Sequence, residues 1–548
     1  MSTKAIEQSK PFAITLDVGS SLLNKTGTWR TERPVYLDRL PPCNQACPAG
    51  ENIQQWLSIA EEGDYERAWQ EIMKNNSLPA IMGRACYHPC EDVCNRGQLD
   101  TTVGINSVER FLGDEAVKKK WRVEIDNPPS GKKVLVIGAG PSGLSAAYHL
   151  ALLGHEVTIN EAGPVAGGML RFGIPKYRLP RDTVEAEVQR IVDMGVALNL
   201  NTTINDIPAA MRAGKFDACF VAIGAHLANR VEIPAADASR VLDAVSVLRD
   251  METSDAPPQL GRRVVVYGGG NTAVDVARTA RRLGAEPVIV YRRTREQMPA
   301  NDFEIEEALE EGIVVNWLST ITGADEKGFQ IEKMKLDATG RPQPTGEYDM
   351  IEADSMVMAL GQNVDTTILE KLPGVEIVDR VVQVDDNMMS GYEGVFAGGD
   401  MVPCERTVTV AVGHGKKAAR HIDAYLCGKK YVKQPKHEIA SYDKLNTWYY
   451  TDADKTVQPV LSVARRTLTF EEVMGSLDES NALFEARRCL SCGNCFECDN
   501  CYGVCPDNAI TKLGPGRRFE FKYDYCKGCG LCVAECPCGA IEMVSEDI

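Results

Sequence analysis

Two runs of cysteine near the end of the chain carry the most chemistry: Cys495-x2-Cys498-x2-Cys501-x3-Cys505-Pro506 and Cys526-x2-Cys529-x2-Cys532-x3-Cys536-Pro537. Three thiolates on one short loop reach three corners of an iron-sulfur cube, and the fourth corner needs a cysteine from elsewhere. In paired runs each fourth cysteine serves the other cluster. The spacing therefore assigns Cys495, Cys498, Cys501 and Cys536 to one [4Fe-4S] cluster, and Cys526, Cys529, Cys532 and Cys505 to a second. Thiolate pairs two residues apart also suit tetrahedral zinc, but two full runs of this order exceed what a pair of zinc sites needs.

Two other segments have the order strand, glycine turn, helix, strand. In residues 131–161, Val134 to Ile137 leads into Gly138-x-Gly140-x-x-Gly143, an Ala- and Leu-rich helical stretch, and a second strand ending at Glu161. Gly138 permits the tight turn, Gly140 lets backbone amides approach a pyrophosphate, and Gly143 allows close helix-to-strand packing. The helix N-terminus favours the anion, and Glu161 is placed to hold a ribose hydroxyl. The second unit begins at Arg262, passes through Gly268, Gly270, Asn271 and Ala273, and ends at Tyr291-Arg292-Arg293. Arg292 and Arg293 stand where an acid would be, and arginine there accommodates a 2′-phosphate, which tilts the coenzyme towards NADP. The alternative is that both only solvate a loop.

Downstream, Val395-Phe396-Ala397-Gly398-Gly399-Asp400 ends a strand ahead of an apolar helical segment. This arrangement resembles two-dinucleotide-domain flavoproteins. That resemblance implies FAD in the first fold with Asp400 on its ribityl chain, and a nicotinamide coenzyme in the second fold, inserted within the first.

Nearer the start, Cys43-x3-Cys47 and Cys86-x3-Cys90-x3-Cys94 supply five cysteines, too few for two cubes. Gly83-Arg84-Ala85-Cys86 with Cys90 and Cys94, the stretch from Val103 to Phe111, the stretch from Gly167 to Pro175, and Tyr291-Arg292-Arg293 with Met298-Pro299-Ala300 resemble the glutamate synthase small-subunit family over roughly residues 40–430. The resemblance implies NAD(P)H, FAD and two N-terminal [4Fe-4S] clusters, one of them taking a Glu or Gln in place of a cysteine. Carried onto this chain, it implies Cys47, Cys86, Cys90 and Glu109 on one cluster, with Cys43 and Cys94 on the other. The family's C-x2-C pair before Cys43 is absent, and Val35 to Leu40 stand there. Glu485 to Cys492 carry the wording that normally surrounds that pair, so Cys489 and Cys492 are expected to fold back and complete the second cluster. Otherwise they are spare thiols and the chain holds three clusters instead of four.

To position these groups the fold must be α/β: two nested Rossmann-like dinucleotide-binding domains, preceded by an α-helical Fe-S domain and followed by an α+β ferredoxin-like domain. The expected order is an N-terminal tail over 1–40, the helical Fe-S domain over 41–120, the FAD domain over 131–244 and 351–430, the NAD(P) domain over 245–350, a linker over 431–488, and the ferredoxin-like domain over 489–548. Cys219, Cys404, Cys427 and Cys538 fall outside complete ligand sets and are read as buried or incidental thiols. His88 and His414 are read as structural, Lys118 to Lys120 as a solvated helix end, and Glu304, Glu306, Glu307, Glu310 and Glu311 as an exposed helical face.

The chain has 548 residues, enough for several cores. A net charge of -17 argues against a nucleic-acid surface. Nineteen cysteines, mostly grouped as ligand sets, suit a reducing cytoplasm, and no signal core or bilayer-length apolar run is seen. The expected function is an NAD(P)H:acceptor oxidoreductase subunit passing electrons to or from ferredoxin or a larger enzyme of the 2-oxoacid:acceptor oxidoreductase or sulfite reductase type. A glutamate synthase small subunit with a ferredoxin extension and a non-catalytic electron-transfer scaffold are the alternatives.

Overall fold

The computed structural model describes residues 25–234, 241–254, 256–433 and 435–546. The first part of the expected tail, residues 1–24, lies outside them.

Six helices, Pro42–Ala46, Ile53–Glu61, Tyr65–Met73, Pro79–Ala85, Pro89–Asp92 and Ile105–Lys119, make the N-terminal domain. Apolar residues at helical spacing explain the packing: Ile53, Trp56, Leu57 and Ala60 fall on one face and are buried. The last of these helices ends as read, with Lys118 and Lys119 in its final turn and Lys120 left-handed at φ 57°.

The flavin-type domain is a five-stranded parallel sheet in the order 395–397, 218–221, 133–137, 156–160, 197–199. Val134 to Ile137 are buried without alternation, as expected of a parallel strand covered on both faces. Helix Val408–Leu426 packs on helix Pro141–Leu152 so closely that a Cβ at Gly415 would strike the Ser142 carbonyl. This sheet and the N-terminal helices share one apolar core. The nicotinamide-type domain is a second parallel sheet in the order 314–316, 286–290, 263–267, 355–358, 241–243, with its own core.

Three expectations change. The nicotinamide domain extends beyond 245–350, because Val241–Asp243 and Ser355–Met358 pair within its sheet. The tail is structured before residue 40: Glu32–Tyr36 forms a strand antiparallel to Ile541–Ser545, joining the two ends of the chain. The 431–488 segment is a packed strap, bridging Leu40 to Ile439 and donating from Val473 N to Tyr177 O at 2.9 Å.

The acidic helix Asp302–Glu310 is also only half as read. Glu306 and Glu310 are exposed, but Glu304 and Glu311 are buried. Glu311 accepts from Arg278 at 2.7 Å and from Arg282 at 2.7 Å, and Glu304 pairs with Arg178. Those arginines come from other elements, so periodicity along the helix could not show them.

Candidate flavin, nicotinamide and iron-sulfur sites

The first glycine turn has the shape of a pyrophosphate cradle. Gly138 has φ 102°, a Cβ at Gly143 would strike the Gly138 carbonyl, and the space beside Gly140 is open. The Glu161 carboxylate accepts from Ala139 N at 2.8 Å and Gly163 N at 2.7 Å, which braces the turn and leaves lone pairs for a ribose hydroxyl. Ser142 Oγ, in the first turn of the helix, is buried with no partner. Gly399 packs against Ser142, which brings Asp400 to the same place. Burial raises the Asp400 carboxyl above its ordinary value, and Arg406 opposes the rise. His414 accepts from Gly399 N at 3.3 Å, a structural role as read. These features fit FAD.

The second turn repeats the pattern. A Cβ at Gly268, where φ is 148°, would strike the Ala359 carbonyl, while Gly270 has open space and Ala273 is fully buried against the sheet. The Asn271 side chain bridges two segments: Nδ2 donates to Tyr87 Oη at 2.6 Å and Oδ1 accepts from Asn301 N at 2.8 Å. Arg292 is exposed just after the second strand, and Arg293 beside it keeps its Nε buried with no partner.

The cysteines surround cavities. Cys43, Cys94, Cys489 and Cys492 line one, beside Gln54, Asn95 and Arg96. Cys505, Cys526, Cys529 and Cys532 line a second. Cys495 and Cys536 lie close enough to Cys498 to raise its ionisation cost, and Cys495, Cys498 and Cys536 do the same to Cys501. Cys47, Cys86 and Glu109 do the same in the N-terminal domain, and Cys90 is coupled to Cys86 and Cys47. Among the described residues no three of His, Cys, Asp or Glu converge as a single metal ion would require.

Burial pushes Cys86 and Cys501 up to about 12 and Cys492 up to about 11. Such thiols do not ionise unaided at neutral pH, and iron supplies the positive charge that thiolate ligation needs. Asn95 Nδ2 donates to Cys492 Sγ at 3.4 Å, and His88 N to Cys86 Sγ at 3.2 Å.

Glu51 escaped the sequence reading. Its carboxylate accepts from Asn76 Nδ2 at 3.0 Å and Trp56 Nε1 at 3.1 Å, and the same Asn76 amide donates to Glu109 at 2.7 Å. Burial lifts Glu51 to about 7. Its place four residues after Cys47 was the available signal. The flavin-type helix touches this group, since Thr409 Oγ1 donates to Met82 Sδ at 3.6 Å, four residues before Cys86, and a Cβ at Gly413 would strike the Pro48 carbonyl.

No helix among the described residues is long and apolar enough to cross a membrane. Residues 132–415 match the pyridine nucleotide-disulphide oxidoreductase family. Residues 32–121 match Dihydroprymidine dehydrogenase domain II, 4Fe-4S cluster, and residues 494–540 match the 4Fe-4S dicluster domain. The chain is 36% identical to the NADP(+)-dependent formate dehydrogenase subunit beta of Moorella thermoacetica, covering 82% of this chain and 70% of that one. It is 33% identical to the NADPH-Fe(3+) oxidoreductase subunit beta of Geobacter sulfurreducens, covering 82% and 75%. Against the glutamate synthase [NADPH] small chain of Escherichia coli the identity is 32%, covering 70% and 89%. The chain thus belongs to the pyridine nucleotide-disulphide oxidoreductase family, as an NAD(P)H-dependent FAD and [4Fe-4S] oxidoreductase related to glutamate synthase small chains.

Proposed function

We propose that the chain is the nicotinamide-handling subunit of a larger redox assembly, linking NADPH through FAD and four [4Fe-4S] clusters to a partner protein. The observation that supports this most is the order of candidate ligands along the chain. Cys43 and Cys47, on different N-terminal clusters, are four residues apart, and Cys492 and Cys495 are three apart. The fourth cysteines Cys505 and Cys536 cross between the last two clusters. Three or four residues span at most about 14 Å, so each cluster sits beside the next in a single file.

Bound FAD supplies the exchange between two-electron hydride chemistry and one-electron transfer. The chain's own residues bind and space the groups, and no general acid, base or nucleophile is required. Thr409 beside Cys86 sets the flavin end of the file, and Cys529, exposed at its cavity, sets the outer end.

NADPH is favoured by Arg292 and by the unpartnered Nε of Arg293, and by the coenzyme in the names of the Moorella and Geobacter relatives. Those relatives are beta subunits, which supports a protein partner: a formate dehydrogenase, a 2-oxoacid:acceptor oxidoreductase, a sulfite reductase or free ferredoxin. A reducing cytoplasm suits nineteen unpaired cysteines.

Anaerobic addition of NADPH and NADH in separate samples, followed optically and by EPR alongside iron analysis, tests the proposal. Flavin bleaching by NADPH, reduced-cluster EPR signals and about sixteen irons per chain are expected. Absence of bleaching by either coenzyme overturns the catalytic proposal, and about twelve irons overturns the four-cluster file.

A further inference from the structure

The strand Glu32–Tyr36 does more than lean on the ferredoxin-like domain. Its five residues pair in register from Glu32 with Ser545 to Tyr36 with Ile541, and Leu37 N donates to Ala540 O at 3.0 Å. The segment before it follows the second cysteine run: Gly27 N donates to Asp524 O at 2.9 Å, Thr26 Oγ1 to Tyr525 O at 2.6 Å, and Arg30 Nη1 to Cys526 O at 3.2 Å. In return Tyr523 Oη donates to Pro34 O at 2.9 Å. Tyr36 packs into the domain's own core, its ring stacked on Phe521 with centroids 4.9 Å apart. Its hydroxyl lies 3.3 Å from Cys501 Sγ.

We infer that Tyr36, carried by a strand from the other end of the chain, is a positioning residue that raises the reduction potential of the cluster held by Cys495, Cys498, Cys501 and Cys536. The inference rests on the ligand set proposed above. A ligated Cys501 has no proton, so the phenol is the donor. Reduction adds one negative charge to the cluster, and a hydrogen bond to a ligating sulfur stabilises the more negative state more. At the neighbouring cluster the N-terminal segment's contact is different in kind: the Arg30 guanidinium reaches the carbonyl of Cys526. The N-terminal segment therefore acts on two clusters whose cysteine runs are alike in two ways, by a hydrogen bond to a sulfur at one and by a cation at the other.

Tyr36→Phe keeps the ring stack and the strand and removes the hydroxyl. The test is EPR-monitored potentiometry of the full-length holoprotein, with iron content and thermal midpoint measured on the same samples. The expected result is one cluster shifted to lower potential, the others unmoved, and iron unchanged. Potentials that all match the wild type overturn the inference, as does loss of a cluster in Tyr36→Phe, which would make the hydroxyl merely structural. Cys501→Ala separates the two levels. If it retains every cluster, the ligand set itself fails; if it loses one while Tyr36→Phe shifts nothing, only the role of Tyr36 fails.

Discussion

Asn271 Nδ2 and Tyr87 Oη are 2.6 Å apart, which ties the nicotinamide-type glycine turn to the residue next to Cys86. The contact crosses a domain boundary and is reinforced by the neighbouring side chains. Tyr87 and His88 both pack on Phe303 of the acidic helix, and Arg178 donates to Asp275 on the glycine-turn helix at 2.8 Å. The backbone amides that would face a pyrophosphate are therefore anchored against the N-terminal Fe-S domain.

Removing that anchor should loosen the turn. Tyr87→Phe leaves a part-buried amide donor unpaired, at a cost of about 1–3 kcal/mol. NADP(+) affinity, measured by titrating the oxidised protein, is expected to fall by about tenfold, equivalent to about 1.4 kcal/mol. Flavin content should not change, because no residue of the first glycine turn takes part in this contact. Unchanged nucleotide affinity would mean that Asn271 holds its position without the tyrosine.

Replacing Cys489 and Cys492 by serine together should cost one cluster of four. Both residues share a cavity with Cys43 and Cys94, so iron is expected to fall from about sixteen to about twelve per chain, with the two C-terminal clusters still visible by EPR. Iron that stays at the wild-type level would identify these two cysteines as spare thiols.

The coenzyme preference should reside in Arg292 and Arg293. A charge-assisted hydrogen bond is worth about 1.5–3 kcal/mol, so Arg292→Ala with Arg293→Ala should raise KM for NADPH by roughly ten- to a hundredfold. KM for NADH, which has no 2′-phosphate, should hardly move. Equal losses for both coenzymes would make these arginines general supports of the loop.

Both glycine turns and the cysteine groupings were legible because they depend on short-range spacing: Gly138, Gly140 and Gly143 act within one turn, and each cysteine run closes over a few residues. Cys489 and Cys492 stood out for a similar reason, since the local wording around them survives relocation, and they line one cavity with Cys43 and Cys94. What could not be read depends on partners far away in sequence. Glu304 and Glu311 look solvated on their own helix and are buried only because Arg178, Arg278 and Arg282 arrive from elsewhere. Tyr36 looked like tail for the same reason, because its strand partner lies 505 residues on, at Ile541. The bond from Asn271 to Tyr87 could not be read for the same reason, because its partner lies 184 residues away.

The strap that presents Cys489 depends on one buried carboxylate. Asp100 accepts from both Arg96 Nε at 2.8 Å and Arg96 Nη2 at 2.6 Å, from Ala453 N at 2.9 Å, and from Arg488 Nη2 at 3.3 Å. Arg96 and Asp100 side chains are only 3% and 8% exposed, so solvent screens the pair weakly. Hydrogen bonds from Arg96 hold the Asp100 carboxyl well below the usual carboxylate range, with the Ala453 and Thr101 amides adding to them. A carboxylate whose folded value is depressed stabilises the fold fully above its unfolded value of about 3.9, and loses that contribution only as pH falls towards the folded value. Asp100→Asn breaks a buried pair and leaves Arg96 uncompensated, at a cost of about 3–5 kcal/mol. Thermal melts should therefore show a lower midpoint for Asp100→Asn, by the same margin at pH 6, 7 and 8. Because Arg488 directly precedes Cys489, iron should be lost from this variant earlier in the melt than from the wild type. A margin that changes across that pH range would place the stabilising charge on a group that titrates near neutrality, and would remove Asp100 from that role.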